Sequence, residues 1–177
     1  MNLKETTVNK NYIYKGKIIN VRCDDAALPD GKMCKREIVE HPGGASVLCV
    51  KDKKVLLVKQ YRYAYQEEIY EIPAGKLNLG EDPALTAARE LKEETGMEAR
   101  EMKHLFTLYP TPGYTNELLR IYYAVDAKEG EAMLDEGEFL NVEWLELEKV
   151  VNMIESGEIS DAKTVVAVQW YLLHERN

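Results

Sequence analysis

One helix with clear start and stop signals, set among strand-like runs, constrains the fold of this chain most. Asp82-Pro83 places a good N-cap residue directly before a proline, which is favoured at the first position of a helix. Gly96 is a typical residue at the end of a helix, so the helix is predicted to run from Pro83 to about Thr95. A helix with one apolar stripe needs a partner surface, and we expect that surface to be a sheet.

Strand-like runs flank this helix on both sides. β-rich stretches span residues 11–24, 33–40, 44–50 and 54–63 before it, and 101–109, 117–126 and 140–144 after it. A turn is predicted at 29–31, another at 51–54 and a loop at 75–80. Two further helices, at about 147–156 and 161–175, close the chain. This order of elements predicts a mixed α/β or α+β domain.

Composition and charge argue against two classes of protein. The 177 residues carry 31 acidic and 23 basic side chains, a net charge of -8, and no basic stripe of the kind that binds nucleic acid. No apolar run approaches the ~20 residues of a membrane-spanning helix, and the N-terminus lacks the apolar core of a secretion signal. The three cysteines have no paired spacing, which favours a reducing compartment over a zinc site. We therefore expect a cytoplasmic protein without nucleic-acid or membrane partners.

The predicted helix carries several carboxylates close together. Its apolar stripe is predicted to contain Ala84, Ala87, Ala88 and Leu91. Glu90 and Glu94 lie four residues apart at the edge of that stripe, and Glu93 is adjacent to them. Like charges at this spacing disfavour the helix unless a hard divalent cation such as Mg²⁺ lies between them. Arg89, four residues before Glu93, can hold that carboxylate by an ion pair. The alternative is a solvated acidic face without a ligand.

The spacing of these residues is more specific than their acidic character. Nine positions follow a single pattern: Gly75, Glu81, Arg89, Glu90, Leu91, Glu93, Glu94, Gly96 and Met97. This pattern resembles the Nudix box, the signature of the Nudix hydrolase family, without a departure. The stretches Gln60–Arg62 and Glu71–Gly75, and Pro112 fifteen residues past the box, resemble the ADP-ribose pyrophosphatase branch of that family. The resemblance covers roughly residues 35–175.

The resemblance implies a fold and an assembly. The expected fold is an α/β/α sandwich with a mixed β-sheet, preceded by an N-terminal antiparallel β arm. Residues 1–40 would form the arm and residues 41–177 the Nudix hydrolase domain. In the ADP-ribose branch the arm often exchanges with a partner subunit, so a homodimer is expected.

The resemblance also implies a metal site. By analogy with the family, Glu90, Glu94 and the backbone carbonyl of Ala74 are metal ligands, with Mg²⁺ expected and Mn²⁺ possible. Glu93 is either a further ligand or a carboxylate that supports one. Arg89 is expected to orient the carboxylates, although a surface salt bridge is the simpler interpretation.

The remaining implied roles concern the substrate and the attacking water. The general base of this branch is usually a Glu in a loop past the box, which here indicates Glu138, with Glu136 as the alternative. Arg62 is the best candidate for a phosphate-binding cation, since a guanidinium forms bidentate bonds to phosphate. Arg36 is a weaker second candidate. Glu71 either contacts substrate or simply ends a strand.

Two classes of function remain. One is an active Mg²⁺-dependent pyrophosphatase that hydrolyses ADP-ribose, a small nucleotide sugar, to AMP and ribose 5-phosphate. The alternatives are a Nudix hydrolase of another nucleoside diphosphate sugar and a catalytically silent nucleotide-binding regulator. The intact Arg89, Glu90, Glu93 and Glu94 favour an enzyme. The absence of paired cysteines argues against the NADH-cleaving branch.

Overall fold

The computed structural model describes residues 2–131, 137 and 139–175. The chain divides into two compact units. The first consists of the chain up to Gly43 together with Tyr109–Leu118, and the second of Gly44–Leu108 together with the chain from Leu119 onward.

The first unit is built on a four-stranded antiparallel sheet. Its strands are β1 (Thr6–Asn9), β2 (Tyr12–Lys15), β3 (Asn20–Ala27) and β4 (Met33–Glu40), and β3 pairs with the other three. The predicted strand at 33–40 is confirmed as β4. The prediction of one continuous strand over 11–24 was wrong, because β2 and β3 are separate strands. Gly16 donates its N–H to the carbonyl of Ile19 at 2.9 Å, and this tight turn separates β2 from β3.

The second unit contains the other strands and the helices of the described residues. The strands are β5 (Gly44–Leu48), β6 (Val50–Lys51), β7 (Lys54–Arg62), β8 (Glu67–Glu71), β9 (Ala74–Lys76), β10 (Met97–Glu98), β11 (Glu101–Leu108), β12 (Leu119–Val125), β13 (Lys128–Glu129) and β14 (Leu140–Glu146). The helices are α1 (Pro83–Thr95), α2 (Leu147–Glu155) and α3 (Ala162–His174). One sheet has the order β11-β12-β5-β9 and is mixed, because β5 and β12 are parallel. A second has the order β14-β7-β6, with β8 also on β7.

Strand β5 has a helix layer on each of its faces. Ala45 and Val47 point to one face, where they cluster with Ala87 of α1. Leu48 points to the other face and clusters with Val168 of α3. Because successive side chains of a strand face opposite ways, the two clusters lie on opposite sides of the sheet. The predicted α/β/α sandwich with a mixed sheet is confirmed.

Helix α1 has the predicted caps. The Asp82 side chain accepts a hydrogen bond from the N–H of Ala84 at 2.7 Å, and Gly96 ends the helix in the left-handed region with φ 71°. The predicted apolar stripe was wrong in one member, since Ala88 is exposed. The buried face is rotated around the helix axis relative to the prediction. Its buried residues are Thr86, Ala87, Glu90, Leu91 and Glu94, so Glu90 and Glu94 lie inside this face rather than at its edge.

None of the helices in the described part of the chain is long and apolar enough to cross a membrane.

Candidate active site

Two buried carboxylates of α1 lie against strand β9. The exposed fraction is 9% for Glu90 and 4% for Glu94. Glu94 accepts a hydrogen bond from the backbone N–H of Ala74 at 3.1 Å. The Glu90 carboxyl group lies so close to Gly75 that a Cβ atom there would be 1.9 Å from its Cδ. A side chain at position 75 would therefore displace the Glu90 carboxyl group from its observed place.

Arg89 links three carboxylates with one guanidinium group. Its N–H groups donate to Glu81 at 3.1 Å, to Glu90 at 2.7 Å and to Glu93 at 2.9 Å. The predicted ion pair between Arg89 and Glu93 is confirmed. The hydrogen bond from Arg89, together with one from the backbone N–H of Asn78, lowers the pKa of Glu81 to about 2. This carboxylate is therefore ionised at neutral pH and fixes one side of the guanidinium.

The charges and donor atoms of this group suit a hard divalent cation. The carboxylates of Glu81, Glu90 and Glu93 surround the single guanidinium of Arg89, and Glu94 adds a fourth carboxylate on the same helix. All the available ligand atoms are oxygens, which Mg²⁺ and similar ions prefer. The lack of a side chain at Gly75 lets the Glu90 carboxyl group lie directly against the backbone of β9. The chemistry of these donor atoms thus fits the divalent metal that the Nudix resemblance implies.

The carboxylates do not converge on a common point. Within the described ranges, no group of three or more His, Cys, Asp or Glu side chains is arranged to hold a metal ion. Arg89 binds Glu90 and Glu93, whereas Glu94 accepts from Ala74. A bound cation would therefore compete with Arg89 for carboxylate oxygens.

A second charged cluster surrounds Glu71, at the end of β8. Glu71 is 1% exposed and forms a bidentate ion pair with Arg62, with Nη2 to Oε2 at 2.7 Å. Lys163 of α3 also donates to Glu71, and it lies 2.9 Å from a carboxylate oxygen of Asp161. Burial raises the pKa of Glu71, but the hydrogen bond from Arg62 and the charge of Lys163 outweigh this effect and lower it. Glu71 is therefore an ionised, doubly paired carboxylate.

Lys163 belongs to this cluster but was not predicted from the sequence. A positive charge in the first turn of a helix opposes the helix dipole, so a lysine there is a signal that another interaction holds it. Local sequence could not supply the partner, because Lys163 and Glu71 are 92 residues apart.

The remaining predicted site residues are Arg36, Glu138 and Glu136. Arg36 is on β4 of the first unit, where its Nη2 lies 2.7 Å from a carboxylate oxygen of Glu5 in an exposed ion pair. Glu138 and Glu136 fall outside the described residues.

Residues 40–168 match the NUDIX domain, and residues 5–39 match the nucleoside diphosphate sugar hydrolase N-terminal domain. The chain belongs to the Nudix hydrolase family. The predicted family, its ADP-ribose pyrophosphatase branch and the enzyme class are therefore confirmed.

Individual relatives cover nearly the whole chain. An ADP-ribose pyrophosphatase of Bacillus subtilis is 43% identical over 98% of this chain and 95% of that protein. A methanol dehydrogenase activator of Bacillus methanolicus is 42% identical over 97% of this chain and 95% of that protein. A crystal structure of an ADP compounds hydrolase matches 100% of both chains with a TM-score of 0.85 at 22% identity, which shows the shared fold.

Proposed function

We propose that this protein is a cytoplasmic, Mg²⁺-dependent pyrophosphatase that hydrolyses ADP-ribose to AMP and ribose 5-phosphate. The observation that carries the proposal is the pair of buried carboxylates, Glu90 and Glu94, set against the backbone of Ala74 and Gly75. Similarity to the Bacillus subtilis ADP-ribose pyrophosphatase over nearly the full chain supports the choice of substrate.

The chain's own residues would bind the metal ion and the substrate phosphates. Glu90, Glu94 and the carbonyl of Ala74 are the proposed ligands, and Glu93 is a further ligand or supports one. Arg89 orients Glu90 and Glu93 through its hydrogen bonds. When bound, Mg²⁺ supplies neutralisation of the phosphate charge that grows during hydrolysis.

Two basic residues are proposed to bind the substrate. Arg62 keeps 40% of its side chain exposed while Glu71 holds it, so its guanidinium is oriented and accessible to a phosphate oxygen. Arg36 is the second candidate for phosphate binding.

The proposed general base is Glu138, with Glu136 as the alternative. The base takes a proton from water as the water oxygen bonds to phosphorus, and the bridging P–O bond of the pyrophosphate breaks. A positioned base typically contributes ~10²–10⁴-fold to the rate. We therefore expect Glu138→Gln to lower kcat by about that factor with a much smaller effect on KM. A large loss in Glu136→Gln instead would move the assignment by two residues.

A homodimer is proposed from the surface of the N-terminal arm, residues 1–40. This arm exposes several large apolar side chains: Val8 (52%), Ile13 (70%), Tyr14 (57%) and Ile18 (49%). A segment that exposes this many large apolar side chains is a candidate interaction surface. Light scattering should give a dimer for the native chain and a monomer for Ile13→Glu. Leu173→Glu, at another exposed apolar residue, is the matched control and should remain dimeric. A monomeric native chain would contradict the assembly.

The substrate is tested by comparing kcat/KM for ADP-ribose, GDP-mannose and NADH with and without Mg²⁺. A site that hydrogen-bonds adenine rejects guanine strongly, because a misplaced donor leaves buried polar groups unpaired. We expect ADP-ribose to be preferred, with AMP and ribose 5-phosphate as products. A higher kcat/KM for GDP-mannose would identify a hydrolase of another nucleoside diphosphate sugar. Nucleotide binding without turnover of any substrate would identify a silent regulator.

A further inference from the structure

The segment Glu71–Gly75 connects β8 to the carboxylates of α1. It provides Ala74, whose N–H binds Glu94, and Gly75, which lies against Glu90. The carbonyl of Pro73 accepts a hydrogen bond from the N–H of Val47 on β5 at 2.8 Å, which fixes the middle of the segment to the sheet. The position of this segment therefore determines where the carboxylates find their backbone partners.

Helix α3 holds the start of the same segment through a buried hydroxyl group. The N–H of Ile72 donates to Oγ1 of Thr164 at 2.8 Å, and both residues are fully buried. The same hydroxyl donates to Oδ2 of Asp161 at 2.6 Å, so its single hydrogen is committed and a lone pair remains for Ile72. Asp161 caps α3 by accepting the N–H of Thr164 at 3.0 Å.

The neighbouring residue of α3 holds Glu71 in the same way. Lys163 is 7% exposed, and its ammonium group lies between the carboxylates of Glu71 and Asp161. Consecutive residues of α3 thus bind consecutive residues of the segment, one by an ion pair and one by a hydrogen bond. These two adjacent contacts fix the position of Glu71 and Ile72 and prevent the backbone there from turning about its own axis.

We propose that Lys163 and Thr164 are positioning residues for the metal site. They act through Glu71 and Ile72 to hold Ala74 and Gly75 in place against Glu94 and Glu90. Interactions that orient metal ligands without touching the ion typically affect metal affinity by ~10–100-fold. This role rests on the proposed function of the carboxylates as metal ligands.

The experiment measures Mn²⁺ binding by electron paramagnetic resonance on the full-length protein, without substrate. Thr164→Val keeps the shape of the side chain but removes the acceptor for Ile72, and we expect the dissociation constant for Mn²⁺ to rise ~10–100-fold. Thr164→Ser keeps the hydroxyl group and should restore affinity to within about threefold of the native protein, well inside that range. Lys163→Met should weaken binding like Thr164→Val.

Val168→Ala is the matched control for loss of stability. Val168 is fully buried on α3 in the same apolar cluster as Ile72, and it makes none of the polar contacts with residues 71–72. It should lower Tm and leave Mn²⁺ affinity unchanged, which separates a weaker fold from a misplaced segment.

The outcomes distinguish this inference from the proposed function. If the native protein binds Mn²⁺ and Thr164→Val binds it equally well, the positioning role is overturned while the metal site stands. If Val168→Ala weakens Mn²⁺ binding as much as Thr164→Val does, the positioning role is also overturned, because a general loss of stability would then explain the weaker binding. If the native protein does not bind Mn²⁺, both the metal site and this inference fail.

Discussion

The substitution Gly75→Ala tests whether the Glu90 carboxyl group must lie where the structure places it. The new Cβ would lie 1.9 Å from Cδ and Oε1 of Glu90 and 2.4 Å from Oε2. Nonbonded carbon atoms settle at ~3.5–4.0 Å, so the carboxyl group has to move by roughly 1.6 Å or more. The backbone of Gly75 is outside the left-handed region, so alanine itself is not strained there.

A displacement of the Glu90 carboxyl group by this distance is incompatible with its proposed role as a metal ligand. Mg²⁺ holds its oxygen ligands at ~2.0–2.1 Å with little tolerance. A misplacement of ~1 Å at an active site can cost ~10²-fold, so we expect kcat/KM for ADP-ribose to fall by ~10²-fold or more. The fold should survive, because the clash is with the end of a flexible side chain. Overpacking costs ~1–3 kcal/mol, and each kcal/mol lowers Tm by roughly 2–4 °C at this chain length.

The assay is the initial rate of AMP release at varied ADP-ribose and Mg²⁺, with Tm from circular dichroism. The double variant Gly75→Ala with Glu90→Ala is the control, because it has no carboxyl group to displace. Gly75→Ala should cost nothing further in that background. Activity of the single variant within threefold of the native protein, at an unchanged Mg²⁺ requirement, would refute the reasoning.

Further predictions follow from the same carboxylates and from one cysteine. Glu94→Gln should remove most activity at saturating Mg²⁺ while circular dichroism stays native, because a hard oxygen ligand is lost; activity within threefold would contradict the metal assignment. The pKa of Glu81 is lowered to about 2, so its contribution to stability is complete above its ordinary pKa of ~4.3 and is lost as pH falls towards 2. The Tm difference between the native protein and Glu81→Gln should therefore shrink between about pH 5 and about pH 3, and a constant difference would contradict this. Burial raises the pKa of Cys49 to about 12, so its thiol should react with a disulfide reagent only after unfolding; fast reaction in the folded protein would contradict its burial.

Local signals were sufficient to predict much of the fold from the sequence. The caps of α1 at Asp82 and Gly96 depend on neighbouring residues only, and both were predicted. Strand β4 was predicted with its observed bounds, Met33–Glu40, because turn residues precede it and its side chains favour a strand. The break at Gly16 was missed, since the turn there lies between two runs with the same strand-like composition.

The site was predicted only where its contacts are local. Arg89 and Glu93 are four residues apart on a helix, and their ion pair follows from that spacing. The burial of Glu90 and Glu94 could not be predicted from residue spacing. An apolar stripe indicates where the centre of a buried face lies, but not how many residues beside it are also buried. Lys163 and Thr164 were missed for a different reason, because each binds a residue 92 positions away.

The arrangement around Arg89 explains how several carboxylates can lie close together on and beside α1. A guanidinium has five N–H donors in a rigid fork, so one side chain can hold Glu81, Glu90 and Glu93 at once. Three carboxylates surround this one guanidinium, so Arg89 alone does not balance their formal charges. Arg89 limits the repulsion among these carboxylates, and a divalent cation bound at the proposed site would reduce it further.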